Sequence, residues 1–297
     1  MPKILGPKDI ALLKLQFDAA SDLTVTSKDL EVGDSISNNL VTLQNIDADN
    51  SLIKFSLSDG ESSTDSFSFS LNWWDSNINY YDQWFDIQNS GDYIFRPKIG
   101  TFEPNVYSRY SHGKKHGDQQ MSLYFEKVNN MTNEVEMKAI VHVTFDEELS
   151  AIKFDVDLDS LPGLTTHGYE VIAKWKVDNF DNNNTFYTDS NGLEMQKRVL
   201  NYRPTWNFTE SLEKLNENVT GNYYPVNSAI VMMDTTGQKV LSVSNDRSQG
   251  GSSLEMGAIE FMQNRRIPAR DYRGMGEWLN EVDANGNGIR VPASYYF

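Results

Sequence analysis

Strict alternation constrains this chain more than any other feature. "SFSFSLNW" sets Phe67, Phe69, Leu71 and Trp73 on one side of an extended backbone. "IKFDVDLD" does the same with Ile152, Phe154, Val156 and Leu158, leaving Lys153, Asp155, Asp157 and Asp159 on the other side. A period of two means a strand with one face in a core and one in water, as in paired antiparallel sheets. "VHVTF", "VIAKWKV" and "VLSVS" continue the pattern, and "SDG", "DNNN", "SNG" and "TTG" part the runs, as turns must. The fair helical candidate is the short "ESLEKLNENV". The expected fold is all-β, a large antiparallel β-sandwich with Phe67, Phe69, Trp73, Phe154, Val156 and Trp175 in its core.

Composition narrows the function. The formal charge of −16, from 26 basic and 42 acidic residues, argues against nucleic acid or an anionic membrane as partner, because phosphate binding needs a basic face. Cysteine is absent, which excludes disulfides, thiolate zinc sites and a cysteine nucleophile. No apolar run approaches the roughly 18 residues of a membrane helix. The start, "MPKILGPKDIALLKLQFDAA", lacks a signal peptide's unbroken apolar core, since Asp9, Lys14 and Asp18 interrupt it.

Spacing alone yields little chemistry. In "HGKKHGD", His112 and His116 stand four apart with Asp118 near; on a helix that spacing could grip a metal, but Gly113 and its polar neighbours favour a solvated loop. "DANGNG" supplies Asp283, Asn285, Asn287 and Gly288, the first half of a calcium loop, yet Ser294 stands where a bidentate glutamate is required. A plain turn is the expectation there. His142 lies on an outward strand face and His167 in a turn, neither with a partner readable from spacing. Asn130, Asn183, Asn207 and Asn218 open N-x-Thr triplets, about as many as so polar a chain shows by chance.

A resemblance carries the reading further. "FYTDSNGLEMQKRVLNYRPTW" from Phe186, "GNYYPVNSAI" from Gly221, "NDRSQGGSSL" from Asn245 and "RRIPARDYRGMGEWLNE" from Arg265 occur in that order. Upstream stand "SGDYIFRP" from Ser90 and "ISNNLVTLQNIDADNSLIKFSLSDG" from Ile36. Together these blocks resemble the C-terminal region of glycoside hydrolase family 38, the retaining, zinc-dependent α-mannosidases, in its lysosomal-type branch. The resemblance implies a galactose mutarotase-like supersandwich that is a fragment of a larger multidomain enzyme. It divides the chain into a preceding strand or linker segment, residues 1–33, and a sandwich domain, 34–297, cut short at its C-terminal end.

The family's nucleophilic aspartate, acid/base carboxylate and zinc ligands lie in an N-terminal barrel and helical bundle, and nothing in this chain looks like them. No catalytic residue and no metal ligand is therefore expected here, and the chain alone is expected to be inactive. By resemblance, zinc is the cofactor of the full-length enzyme, and the partners are its catalytic domain and mannose-containing glycans. The implied location is lysosomal, secretory or vacuolar. Tyr93 and Arg273 match the family positions that reach the substrate cleft. Asp246, Arg247, Gln249, Gly250 and Gly251 form the implied domain-interface loop, the two glycines permitting positive φ and close backbone approach. Arg265 and Arg266 are expected in surface ion pairs of little value. The alternative is a stand-alone, non-catalytic sandwich that binds glycan or a partner protein.

Overall fold

The computed structural model describes residues 27–38, 40–48, 52–58, 64–78, 89–98, 104–106, 109–128, 132–146, 151–163, 168–205, 207, 217–270 and 276–297. The strands of the first half are β1 (Ser27–Asp29), β2 (Ser35–Ser37), β3 (Thr42–Ala48), β4 (Ile53–Ser58), β5 (Thr64–Ser76), β6 (Asn105–Val106), β7 (Arg109–His116), β8 (Gln120–Val128) and β9 (Val135–Asp146). Then come β10 (Ala151–Leu158), β11 (Gly168–Val177), β12 (Thr185–Ser190), β13 (Glu194–Val199) and the short helix α1 (Glu217–Thr220). The chain finishes through β14 (Tyr224–Val226), β15 (Ala229–Met233), β16 (Val240–Asn245), β17 (Gln249–Ser252), β18 (Ala258–Arg266) and β19 (Ala293–Tyr296).

Two sheets result. Sheet A runs β1-β7-β8-β9-β10-β19-β16-β15-β12-β13, and sheet B runs β14-β17-β18-β11-β5-β4-β3-β2 with β6 beside β5. Every pairing is antiparallel. The expected all-β sandwich is what the chain forms. Its inner faces meet in one aromatic core: Trp175 sits 5.1 Å from Phe69 and 5.0 Å from Tyr295, and Phe69 stacks on Phe154 at 5.1 Å. The alternating runs alone account for this, because one side of each strand is apolar and a sandwich buries one side.

Two local expectations change, and two others gain detail. Trp73 is only half-buried against the main core, while Trp74 on the opposite face is completely buried. At this end β5 is covered on both faces: Trp74 joins Phe95, Ile172 and Val219 in a second cluster outside sheet B. The "HGKKH" stretch is strand, not loop. Gly113 is no turn glycine there, since a Cβ would fall 2.6 Å from Tyr110 Oη and 2.8 Å from Leu30, the side chain following β1. Of the helical candidate, residues 217–219 open α1, and the rest lies outside the described residues. Residues 27–33, assigned from sequence to a preceding segment, run along the sandwich: β1 pairs with β7, and Gly33 bonds Asn45.

Candidate functional site

A cleft of roughly 600 Å³ opens on the outside of sheet B, where the 89–98 loop, the start of β17 and the end of β18 converge. Tyr93 stands at its rim, 57% exposed. Phe95, Tyr223, Gln249, Gly250 and Arg265 line it further in. Residues far apart in the chain meet here because β11 places β5 and β18 on its two sides.

Arg265 shapes the Tyr93 loop. Its guanidinium grips the fully buried Glu170 through Nε and Nη2, the latter at 3.0 Å. The same group donates to three loop carbonyls, Gly91 at 3.1 Å, Asp92 at 3.1 Å and Ile94 at 3.0 Å. Ser76 adds its hydroxyl to Glu170 at 3.1 Å. Burial opposes the arginine's charge, yet Glu170 beside it holds its pKa above the ordinary value. This corrects the expectation of a surface ion pair: Arg265 is a desolvated clasp on the loop that carries Tyr93. Ser90 closes the loop's base, donating to Arg96 O and accepting from Arg96 N, both at 2.7 Å.

Arg266 departs from expectation differently. It is nearly buried and meets a carbonyl and an amide instead of an acid, donating to Leu161 O and, at 2.6 Å, to Asn280 Oδ1. Burial lowers its pKa.

Of the two properties expected of the glycine pair, the structure shows close approach and not positive φ. Neither Gly250 nor Gly251 has positive φ. Close approach does apply, but inward: a Cβ on Gly251 would lie 2.6 Å from Ile230 Cδ1 and 2.9 Å from Val226 Cγ2. Gln249 likewise turns in, donating to Met262 O and Tyr295 Oη, each at 2.8 Å, while its Oε1 is buried without a partner. Tyr295 passes its proton donation on to Gln263 at 2.5 Å. Asp246 and Arg247 form a two-pronged pair at 2.9 Å on both arms. Burial works against the Asp246 carboxylate, but Arg247 and the Ser294 amide hold its pKa below the usual range.

Sequence reasoning missed Glu170, Glu260 and Asp189. Glu260 is 2% exposed beneath the cleft and accepts from Tyr223 Oη; burial raises its pKa. Asp189, in the "TDSNG" block, accepts from the amides of Gly192, Asn227 and Ser228 at 2.8 Å and Ala229 at 3.2 Å. The signal available for it was an acid three residues before a turn glycine.

Arg273 lies outside the described residues, as does His167. Arg270, three positions before Arg273, accepts at its carbonyl from Asn89 Nδ2 at 3.4 Å, at the foot of the Tyr93 loop. Elsewhere, His116 Nε2 and His142 Nδ1 approach Ser122 Oγ at 2.9 and 2.8 Å. Among the described residues no group of three or more His, Asp or Glu side chains is placed to hold a metal. The "DANGNG" stretch forms a turn in which Asp283 Oδ1 accepts from the amides of Asn285 and Asn287 at 2.8 and 2.9 Å.

Comparison with known proteins matches this sequence to a family. Residues 36–273 fit the glycosyl hydrolases family 38 C-terminal domain. Over 213 residues the chain is 36% identical to the lysosomal alpha-mannosidase of Mus musculus, covering 68% of this chain and 18% of that protein. A probable alpha-mannosidase of Arabidopsis thaliana is 34% identical over 71% of this chain and 19% of its own length. An alpha-mannosidase of Canavalia ensiformis is 32% identical over 71% of this chain and 20% of its own. The chain thus spans about a fifth of the length of these relatives. The family match and these identities agree: the chain belongs to glycosyl hydrolase family 38, in its C-terminal domain.

Proposed function

We propose that this sandwich is one wall of the substrate cleft of a retaining, zinc-dependent exo-α-mannosidase that removes terminal mannose from glycans. Its place would be the lysosome or another secretory or vacuolar compartment, and its first partner the catalytic domain of the same enzyme. The observation that carries the reading is the Tyr93 loop, held by a buried Arg265–Glu170 pair so that an exposed phenol stands over a cleft lined by both aromatic and polar side chains. A phenol can donate to or accept from a sugar hydroxyl. A guanidinium at position 273 can hold a second hydroxyl or order a carboxylate. Asn89's bond to the Arg270 carbonyl, at the foot of the Tyr93 loop, supports this reading.

Retaining hydrolysis needs a nucleophilic carboxylate and a second one that gives and then takes a proton. In this reading both come from the rest of the enzyme. Zinc belongs there too. The described residues do not suit it, because His116 and His142 are engaged with a shared serine and no acid completes a ligand set. The Asp246–Gly251 segment then supports the junction with the catalytic domain through Arg247 and Ser248, both of which line the cleft. In the full-length enzyme, Tyr93→Phe and Arg273→Ala should each lower kcat/KM by about 1–3 kcal/mol with little change in thermal stability. Wild-type kinetics in both variants, or loss of activity only through unfolding, would overturn the assignment. Zinc-dependent turnover of an aryl α-mannoside by the isolated chain would overturn the division of labour.

A further inference from the structure

We infer that the outer edge of β13 is a docking strand for an extended, acidic segment of a partner polypeptide. Among the described residues β13 pairs along its length with β12 alone; on its other side only Val199, at its end, bridges to Tyr202. The Leu200 amide donates to Asn184 O at 2.9 Å, and Thr185 stands opposite Val199. Those two facts set the phase of the ladder. Residues 194, 196 and 198 turn their backbone groups toward β12, whereas Met195 and Lys197 turn theirs away. Four outward amide and carbonyl groups therefore form a template for one more strand.

Side chains around the edge define what would occupy it. Leu193 is 87% exposed, Met195 42% and Tyr202 56%, an apolar border along an edge that native proteins ordinarily blunt. Lys197 is exposed and meets no acid among the described residues. Arg198 spends its Nε on Thr188 Oγ1 at 3.0 Å and lies over the Tyr224 ring, 4.2 Å from its centre. Neither of its terminal nitrogens meets a carboxylate. Arg203 shares the same ring at 4.9 Å, so positive charge gathers here on a chain of net charge −16. A residue opposite Arg198 on an added strand would lie about 5 Å away, within reach of a forked guanidinium–carboxylate contact. A second copy of this chain is the poorer occupant, because it would bring the same cations together on two strongly acidic bodies.

The test needs no substrate and does not depend on the glycan reading. A labelled peptide of about eight residues, alternating glutamate and valine, is titrated with the chain and followed by fluorescence anisotropy. The peptide should bind saturably at micromolar concentration, and a version with lysine in place of glutamate should not bind. Lys197→Glu should weaken binding about tenfold, a shift of about 1.4 kcal/mol. Met195→Pro should abolish it by removing an outward amide that β12 does not use; an unchanged circular dichroism spectrum confirms the fold. No saturable binding up to about 1 mM overturns the inference, as does binding that both variants retain. Sedimentation showing a dimer that Lys197→Glu disperses overturns it in favour of self-association.

Discussion

On the inner face of sheet B, Phe69, Trp175 and Phe261 meet Phe154 and Tyr295 of sheet A with no charge among them. On the outer face of the same three strands, Trp74, Glu170 and Glu260 are buried as deeply, under the 89–98 loop and Tyr223. The inner face gains from every apolar atom removed from water, about 1.5–3 kcal/mol per large side chain, and tolerates any shape that fills the volume. The outer face gains little net stability from its buried ions, since desolvation offsets most of their attraction. What it gains is direction. Two donor contacts from Arg265 anchor it on Glu170 and three more fix one loop conformation, and that conformation presents Tyr93. Apolar burial decides that this chain folds, and polar burial decides where one phenol points.

The largest expected effects test that contrast directly. Phe154→Ala should cost about 3–5 kcal/mol by opening a cavity. Glu170→Gln should cost a similar amount, for a different reason: it strands a buried arginine. The two separate on repair. Glu170→Leu combined with Arg265→Leu should recover most of the loss in urea unfolding, yet amide exchange across residues 90–96 should quicken. If the double variant stays as unstable as the single one, the pair is a source of stability and the contrast fails.

Intermediate effects come from the glycine pair. Gly251→Ala drives a methyl into Ile230 and Val226 and should cost about 1–3 kcal/mol by overpacking. Gly250→Ala meets Met262 Sδ at 3.2 Å, a flexible neighbour that can yield, and should cost less than about 1 kcal/mol. Equal costs, read from unfolding midpoints, would mean that the close approach matters no more on the inner side than on the cleft side.

The smallest effect is a slope with pH. Burial raises the folded pKa of Glu260, so its contribution is present below the ordinary carboxylate range, near pH 4, and is lost as pH rises through the folded value. Asp189 has the opposite sign. Burial opposes its charge, but the amides of Ser228, Gly192, Ala229 and Asn227 hold its pKa down. Its contribution is present above about pH 4 and is lost as pH falls through the lowered value. Glu260→Gln should flatten the pH dependence of Tm above pH 4, and Asp189→Asn should flatten it below. If each variant instead changes the side assigned to the other, the charge states are reversed.

Alternation made the inner face legible. Phe67, Phe69, Phe154, Val156 and Trp175 are all buried where the period of two places them, because a sandwich core asks nothing more of a strand. It failed on the outer face for a definable reason. Glu170 and Lys174 occupy outward positions of "YEVIAKWKV", and the pattern cannot say that a loop more than 70 residues earlier will cover one of them. Trp73 and Trp74 show the limit within two residues: adjacent tryptophans must face opposite ways, and only the tertiary cover decides which is deeper. The resemblance singled out Tyr93 through its block, but the spacing of that block gave no hint that Arg265 would clasp it. Gly113 was misread because a glycine that admits a neighbour's side chain looks, in sequence, like one that permits a turn.

The position of β19 has a consequence for how the molecule is assembled. Residues 293–296 lie between β10 and β16 in the middle of sheet A, touching both. Among the described residues, the part of sheet A made of β1 and β7 to β10 and the part made of β16, β15, β12 and β13 are therefore joined only by this strand. Tyr295, on the same strand, also reaches across the sandwich to Gln249 and Gln263. During synthesis the joining strand emerges after everything it joins. Until then, β10 and β16 each present an open edge with apolar side chains on one face, the kind of surface that attracts wrong partners. Completing the sheet requires contacts far apart in the chain, which are slow to form. The interval before β19 docks is when this protein is most exposed to aggregation.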